Sequence, residues 1–67
     1  MEKFAERLYE LRTDAGLSQA KLAKAIGVSN ASVCSWERGR KEPMAFAIIA
    51  LAEFFDVTTD YLLGLED

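Results

Sequence analysis

The residues of this chain that can do chemistry are cations and hydrogen-bonding side chains gathered in its middle. Between Leu17 and Lys41 stand Lys21, Lys24, Arg38, Arg40 and Lys41 against one acid, Glu37, a local balance of +4. Gln19, Asn30, Ser32 and Ser35 lie among them. Such groups bind anions and read hydrogen-bonding edges. Reaction chemistry has no visible source. The chain has no histidine, no paired-cysteine metal spacing, no phosphate-binding glycine loop, and no nucleophile beside a recognisable base. The expectation is a non-enzymatic chain with no catalytic residue, metal, cofactor or small-molecule ligand. Cys34 is the lone cysteine, which rules out an internal disulfide and fits a reducing compartment.

Two short helices must position those groups. Ser18 can cap the first by accepting from a free N–H of the first turn, and Leu22 and Ile26 then fall on one apolar face. Gly27 predicts a sharp reversal, which Val28 covers. Ser29 caps the second helix, in which Val33 and Trp36 point one way as core residues while Asn30, Ala31, Cys34 and Ser35 share another side. Gly39 ends it. Two short helices around a tight glycine turn form a helix-turn-helix unit, whose second helix, about 29–38, enters the major groove of a duplex. The formal net charge of −3 opposes nucleic acid, but its distribution does not. From Met44 onward there are five acids and no base, and salt screens charges beyond about 10 Å, so the local patch dominates any contact.

The rest of the 67 residues supplies a scaffold, read as one domain, 1–67, of compact all-α, five-helix architecture. Phe4, Leu8, Leu11 and Ala15 form an amphipathic stripe opposite Glu2, Glu6, Arg7, Glu10 and Asp14, and Gly16 stops that helix. Pro43 fits the first position of a fourth helix, Pro43 to Phe55. Thr58 caps a last short helix carrying Tyr61, Leu62 and Leu63, which Gly64 terminates. No segment alternates like a strand. The longest uncharged apolar run, Pro43 to Ala52, is too short to span a bilayer, and the first residues lack the apolar stretch of a signal peptide, so a soluble cytoplasmic protein is expected.

At this level of detail the sequence resembles a known family. LRTDAGLSQAKLAKAIGVSNASVCSWERGRKEP, followed by LAEFFDVTTDYLLG, is similar to the Cro/cI-type (XRE-like) helix-turn-helix domain of phage and bacterial repressors across nearly the whole chain. The linked signals are Gly-Leu-Ser-Gln, Leu-Ala, Gly-Val-Ser, Trp-Glu-x-Gly and Leu-Leu-Gly. The resemblance implies a lambda-repressor-like fold that binds double-stranded operator DNA, commonly as a homodimer. By matching position, Gln19 grips a phosphate and buttresses the second helix of the motif, and Asn30, Ala31 and Ser35 read base edges, with Ser32 nearer the backbone. Asn30 suits adenine N6/N7 and Ala31 a thymine methyl. Arg38, Arg40 and Lys41 lie along phosphates, giving affinity and register. Arg12 and Glu37 match a pair that is a buried ion pair in some relatives. The reading face is small here, which shifts specificity toward DNA shape and water-mediated contacts.

One segment is more apolar than a core requires. Within Met44–Phe55 only Glu53 is charged, and Ile48, Leu51, Ala52 and Phe55 already complete a core stripe. Phe46, Ala50 and Phe54 form a second stripe at i, i+4, i+8, expected, with Tyr61 and Leu65 beside it, to be a dimer interface. The competing functional reading is a protein-interaction module, an antitoxin-like partner or the DNA-binding fragment of a longer regulator, that docks through this same helix.

Overall fold

The computed structural model describes every residue from Met1 to Asp67 and contains five helices and no strand: α1 (Glu2–Asp14), α2 (Gln19–Ile26), α3 (Asn30–Glu37), α4 (Ala45–Phe55) and α5 (Thr59–Leu62). Three hydroxyl caps act as the sequence predicts. Ser18 Oγ accepts from the Lys21 N–H at 3.1 Å, Ser29 Oγ from Ser32 at 3.1 Å, and Thr58 Oγ1 from Tyr61 at 2.9 Å. Each satisfies an otherwise orphaned donor, worth about 1 kcal/mol. Gly27, at φ 77°, caps α2 in the left-handed conformation, and the Val28 N–H reaches back to the Ala23 carbonyl at 2.9 Å. That conformation is strained for a residue with Cβ, so the turn between α2 and α3 depends on glycine.

The core draws on all five helices: Phe4 and Leu8 of α1, Leu22 and Ala23 of α2, Val33 and Trp36 of α3, Ala47 and Leu51 of α4, and Leu62 of α5. Phe4 meets the Trp36 ring edge-to-face, with centroids 6.3 Å apart, a geometry that adds to the area buried. α2 packs on α3 and α4, α1 on α3 and α5, and α4 on α5. The motif helices are therefore wedged between the first and fourth helices, and neither has a free apolar face.

Three expectations change. Ala15 leaves the apolar stripe: it is the exposed C-cap of α1, where the chain already turns, and Ala5 is buried instead. Pro43 is not the first residue of the fourth helix. It is buried one position before the cap, Met44 stays extended at ψ 161°, and the helix begins at Ala45, its first bonds running from Ala47 and Ile48 to the Met44 carbonyl. A proline serves as well there, since no N–H is needed from it. Arg7 does not belong to a solvated face. Its Nη1 donates to the carbonyls of Tyr61 and Glu66 while the guanidinium lies 4.3 Å over the Tyr61 ring centre. Three residues after Phe4 and four before Leu11, it flanks the buried stripe, and that spacing was the available signal. Tyr61 is accordingly half-buried and engaged with α1. α4 ends at Phe55 as expected, and Asp56 caps it in the left-handed region with φ 55°.

Candidate nucleic-acid interface

α3 is anchored by its back. Val33 and Trp36 are buried, which turns Asn30 and Ala31 fully outward and leaves Cys34 and Ser35 half-covered at the edge. The first turn is tightly built: Ser32 is half-buried, with its Oγ 3.0 Å from Ser29 Oγ. Ser29 Oγ thus both caps the helix and meets the Ser32 hydroxyl. The side facing outward is made of short side chains, polar at Asn30 and Ser35 and apolar at Ala31, and so suits contact at close range.

Beside it, three helices meet in one polar network. Arg12 of α1 donates through Nε to Glu37 Oε2 at 2.6 Å and through Nη2 to Oε1 at 2.9 Å, and its Nη1 donates to the Leu17 carbonyl at 2.8 Å. The two side chains are 12% and 5% exposed. The Arg12 pKa is raised above its ordinary value, chiefly by the hydrogen bond to Glu37; burial opposes this, and attraction to Glu37 and Tyr9 adds to it. Gln19, the first residue of α2, donates from Nε2 to Glu37 Oε1 at 3.0 Å. An ionised carboxylate only accepts, so Gln19 must turn its NH2 group to Glu37. The family resemblance implies that Gln19 buttresses α3, but not that Glu37 is its partner, because the residues lie on different helices and no periodicity relates them.

The network changes the electrostatics of the face. Glu37 is the single acid among residues 17–41, and Arg12 neutralises it. Lys21, Lys24, Arg38, Arg40 and Lys41 are all exposed, and none of them forms a salt bridge. Arg38 caps α3, and Arg40 and Lys41 follow the Gly39 turn, held by the Arg40 N–H bonded to the Ser35 carbonyl at 2.9 Å. At the start of α2 the N–H groups of Gln19 and Ala20 precede the first helical hydrogen bond, which leaves them open to an anion. A surface depression lined by Glu2, Glu6 and Tyr9 of α1 and by Glu37, Arg38 and Gly39 at the end of α3 borders this face, its α1 side acidic.

α4 presents the other notable surface. Met44 is 69%, Phe46 57%, Ile49 53% and Phe54 44% exposed, with Ala50 half-covered between them. Phe54 and Phe55 stack edge-to-face at 5.0 Å, but only Phe55 reaches the core. Leu65 is exposed as well.

The helix-turn-helix family profile matches residues 8–62. The chain is 37% identical over 65 residues to the HTH-type transcriptional activator BcrR of Enterococcus faecalis, covering 97% of this chain and 32% of that protein. It is 38% identical over 58 residues to repressor protein C2 of Salmonella phage P22, covering 87% of this chain and 27% of the repressor. The crystal structure of the P22 c2 repressor with a synthetic operator superposes with a TM-score of 0.88 at 35% identity, covering 94% of this chain and 96% of that one. The chain spans between 27% and 57% of the length of four curated relatives it matches. With the profile laid over α2, its glycine turn and α3, this chain belongs to the XRE-type helix-turn-helix family.

Proposed function

We propose that this chain binds double-stranded DNA sequence-specifically and regulates transcription as a repressor, with α3 in the major groove. The observation that carries the reading is the outward edge of α3, Asn30 and Ala31, bracketed by five exposed cations free of ion pairs. The fold it shares with a repressor crystallised on its operator supports it. Asn30 reads adenine through N6 and N7, Ala31 meets a thymine methyl, Ser35 adds a base-edge hydrogen bond, and Ser32 stays with the backbone. Gln19, Arg38, Arg40 and Lys41 hold phosphates and set register. Arg12 and Glu37 have a structural role. Operator occupancy, in the cytoplasm where DNA is reached directly, is the means of repression.

The longest dimension of the molecule is 27 Å, shorter than the roughly 34 Å of one DNA turn. One copy therefore addresses one half-site, and two copies bind a two-fold operator. The pairing surface is the exposed face of α4, Phe46, Ala50 and Phe54, with Leu65 and the rim of Tyr61 beside it. A stripe of this kind on so small a molecule favours association. Selection from a random duplex library tests the reading, with Gln19→Ala and Asn30→Ala run alongside. The wild type should enrich a two-fold motif, Asn30→Ala should relax one position in each half, and Gln19→Ala should weaken all sequences alike. No enriched motif, and binding indifferent to both substitutions, would turn the choice to a protein-docking module.

A further inference from the structure

Gln19 is more ordered than a first-turn glutamine needs to be. A long amide at a helix start normally keeps its rotamer freedom, and holding it costs entropy. Here it is held by Glu37, the last residue of α3. Glu37 Oε1 takes two donors at once, Arg12 Nη2 at 2.9 Å and Gln19 Nε2 at 3.0 Å. Because the carboxylate fixes which end of the Gln19 amide faces it, one amide hydrogen is engaged and the second remains available. An unpaired carboxylate beside a phosphate would repel it, but the bidentate Arg12 cancels that charge.

We propose that Glu37 is a positioning residue for DNA binding: its Arg12-neutralised carboxylate holds the Gln19 amide so that the second N–H meets a backbone phosphate at the start of α2. The inference rests on the reading of Gln19 as a phosphate contact. It makes the phosphate grip on α2 and the base-reading edge of α3 parts of one rigid unit, because the residue that orients the first closes the helix that carries the second. A shift of α3 in the groove then carries the phosphate anchor with it.

Phosphate contacts are independent of base sequence, so a generic 20-base-pair duplex serves as the probe. Affinity is measured by fluorescence anisotropy for the wild type, Gln19→Ala, the double replacement Arg12→Met with Glu37→Met, and the triple variant. The pair is replaced together because removing one partner leaves a buried charge. Gln19→Ala should weaken binding about fivefold in the wild type and less than about twofold where the pair is gone. Equal factors in both backgrounds would overturn the positioning role and leave the phosphate contact standing. No effect in the wild type would remove the contact itself.

A second measurement needs no disruptive variant. The chain has one glutamine and one asparagine, so the side-chain amide region of a nitrogen–proton NMR spectrum holds two pairs of signals, and Gln19→Ala assigns them. In the free protein one Gln19 amide proton should exchange slowly with water; on adding the duplex the other should shift. Two protons exchanging as fast as those of a free amide would refute the hold. A duplex titration that moves neither would refute the phosphate contact.

Discussion

α3 and α4 follow one another in the chain, and both bury part of their surface in the same core, yet they leave opposite surfaces to solvent. α3 exposes Asn30 and Ala31 with Arg38, Arg40 and Lys41 just beyond its end, while α4 exposes Phe46, Ile49 and Phe54. Their inward faces are interchangeable in kind: Val33 and Trp36 on one, Ala47 and Leu51 on the other. Packing alone therefore says nothing about which helix meets DNA. What separates them is the residue that core geometry does not dictate: α3 presents the polar and cationic groups that the proposed DNA contact needs, and α4 the apolar surface that the proposed pairing needs.

The comparison can be broken most forcefully at α4. Burying one phenyl ring is worth about 1.5–3 kcal/mol, so Phe46→Glu with Phe54→Glu should reduce the sedimenting mass to that of one chain and abolish two-site operator binding. The melting temperature of the dilute protein should hardly move, since neither ring reaches the core. A monomeric wild type at high concentration would remove this half of the contrast. Next in size, Glu37→Ala leaves Arg12 charged and enclosed, at a cost of about 3–5 kcal/mol, visible by thermal circular dichroism. The raised Arg12 pKa means that its share of the stability is fully present at neutral pH and is lost only as pH climbs through the raised value. A loss independent of pH from 5 to 9 is therefore expected.

On the α3 side, replacing Arg38, Arg40 and Lys41 together by glutamine should flatten the dependence of log affinity on log salt by about 0.9 for each phosphate contact removed. Base preference should survive. A changed motif would promote these residues from register to reading. The smallest effect sharpens the end of α4, where Asp56 is both left-handed and negative at a helix C-terminus. Asp56→Gly should stabilise the fold by roughly 0.5–1 kcal/mol in chemical denaturation.

Much of this was legible from residue types. Ser18, Ser29 and Thr58 cap where hydroxyls precede apolar periodicity, and Gly27 turns where glycine follows it, because these signals are local and the physics that uses them is local. The outward face of α3 was equally readable, since Val33 and Trp36 fix the helix's rotation. The start of α4 was not, because Pro43 is compatible with more than one position around a helix start and only burial distinguishes them. Arg7 misled for a related reason: charge placed it with the solvated residues, but its spacing from Phe4 and Leu11 put it at the core's edge, where the carbonyls of Tyr61 and Glu66 could reach it. That Gln19 braces α3 followed from the family resemblance, but its partner Glu37 did not, being a product of how α2 and α3 cross.

Trp36 is the only tryptophan of the chain, and it sits 4% exposed on the core side of the helix proposed to enter the groove. Any change in intrinsic emission above that of the tyrosines is therefore a report from the back of α3. A single wavelength follows whether the reading helix is seated, and a duplex bound on the opposite side does not touch the indole. In an emission titration, then, an operator that leaves the spectrum in place is met by a helix already in position, whereas a red shift on binding would mean that α3 is pulled away from Phe4 to reach the groove.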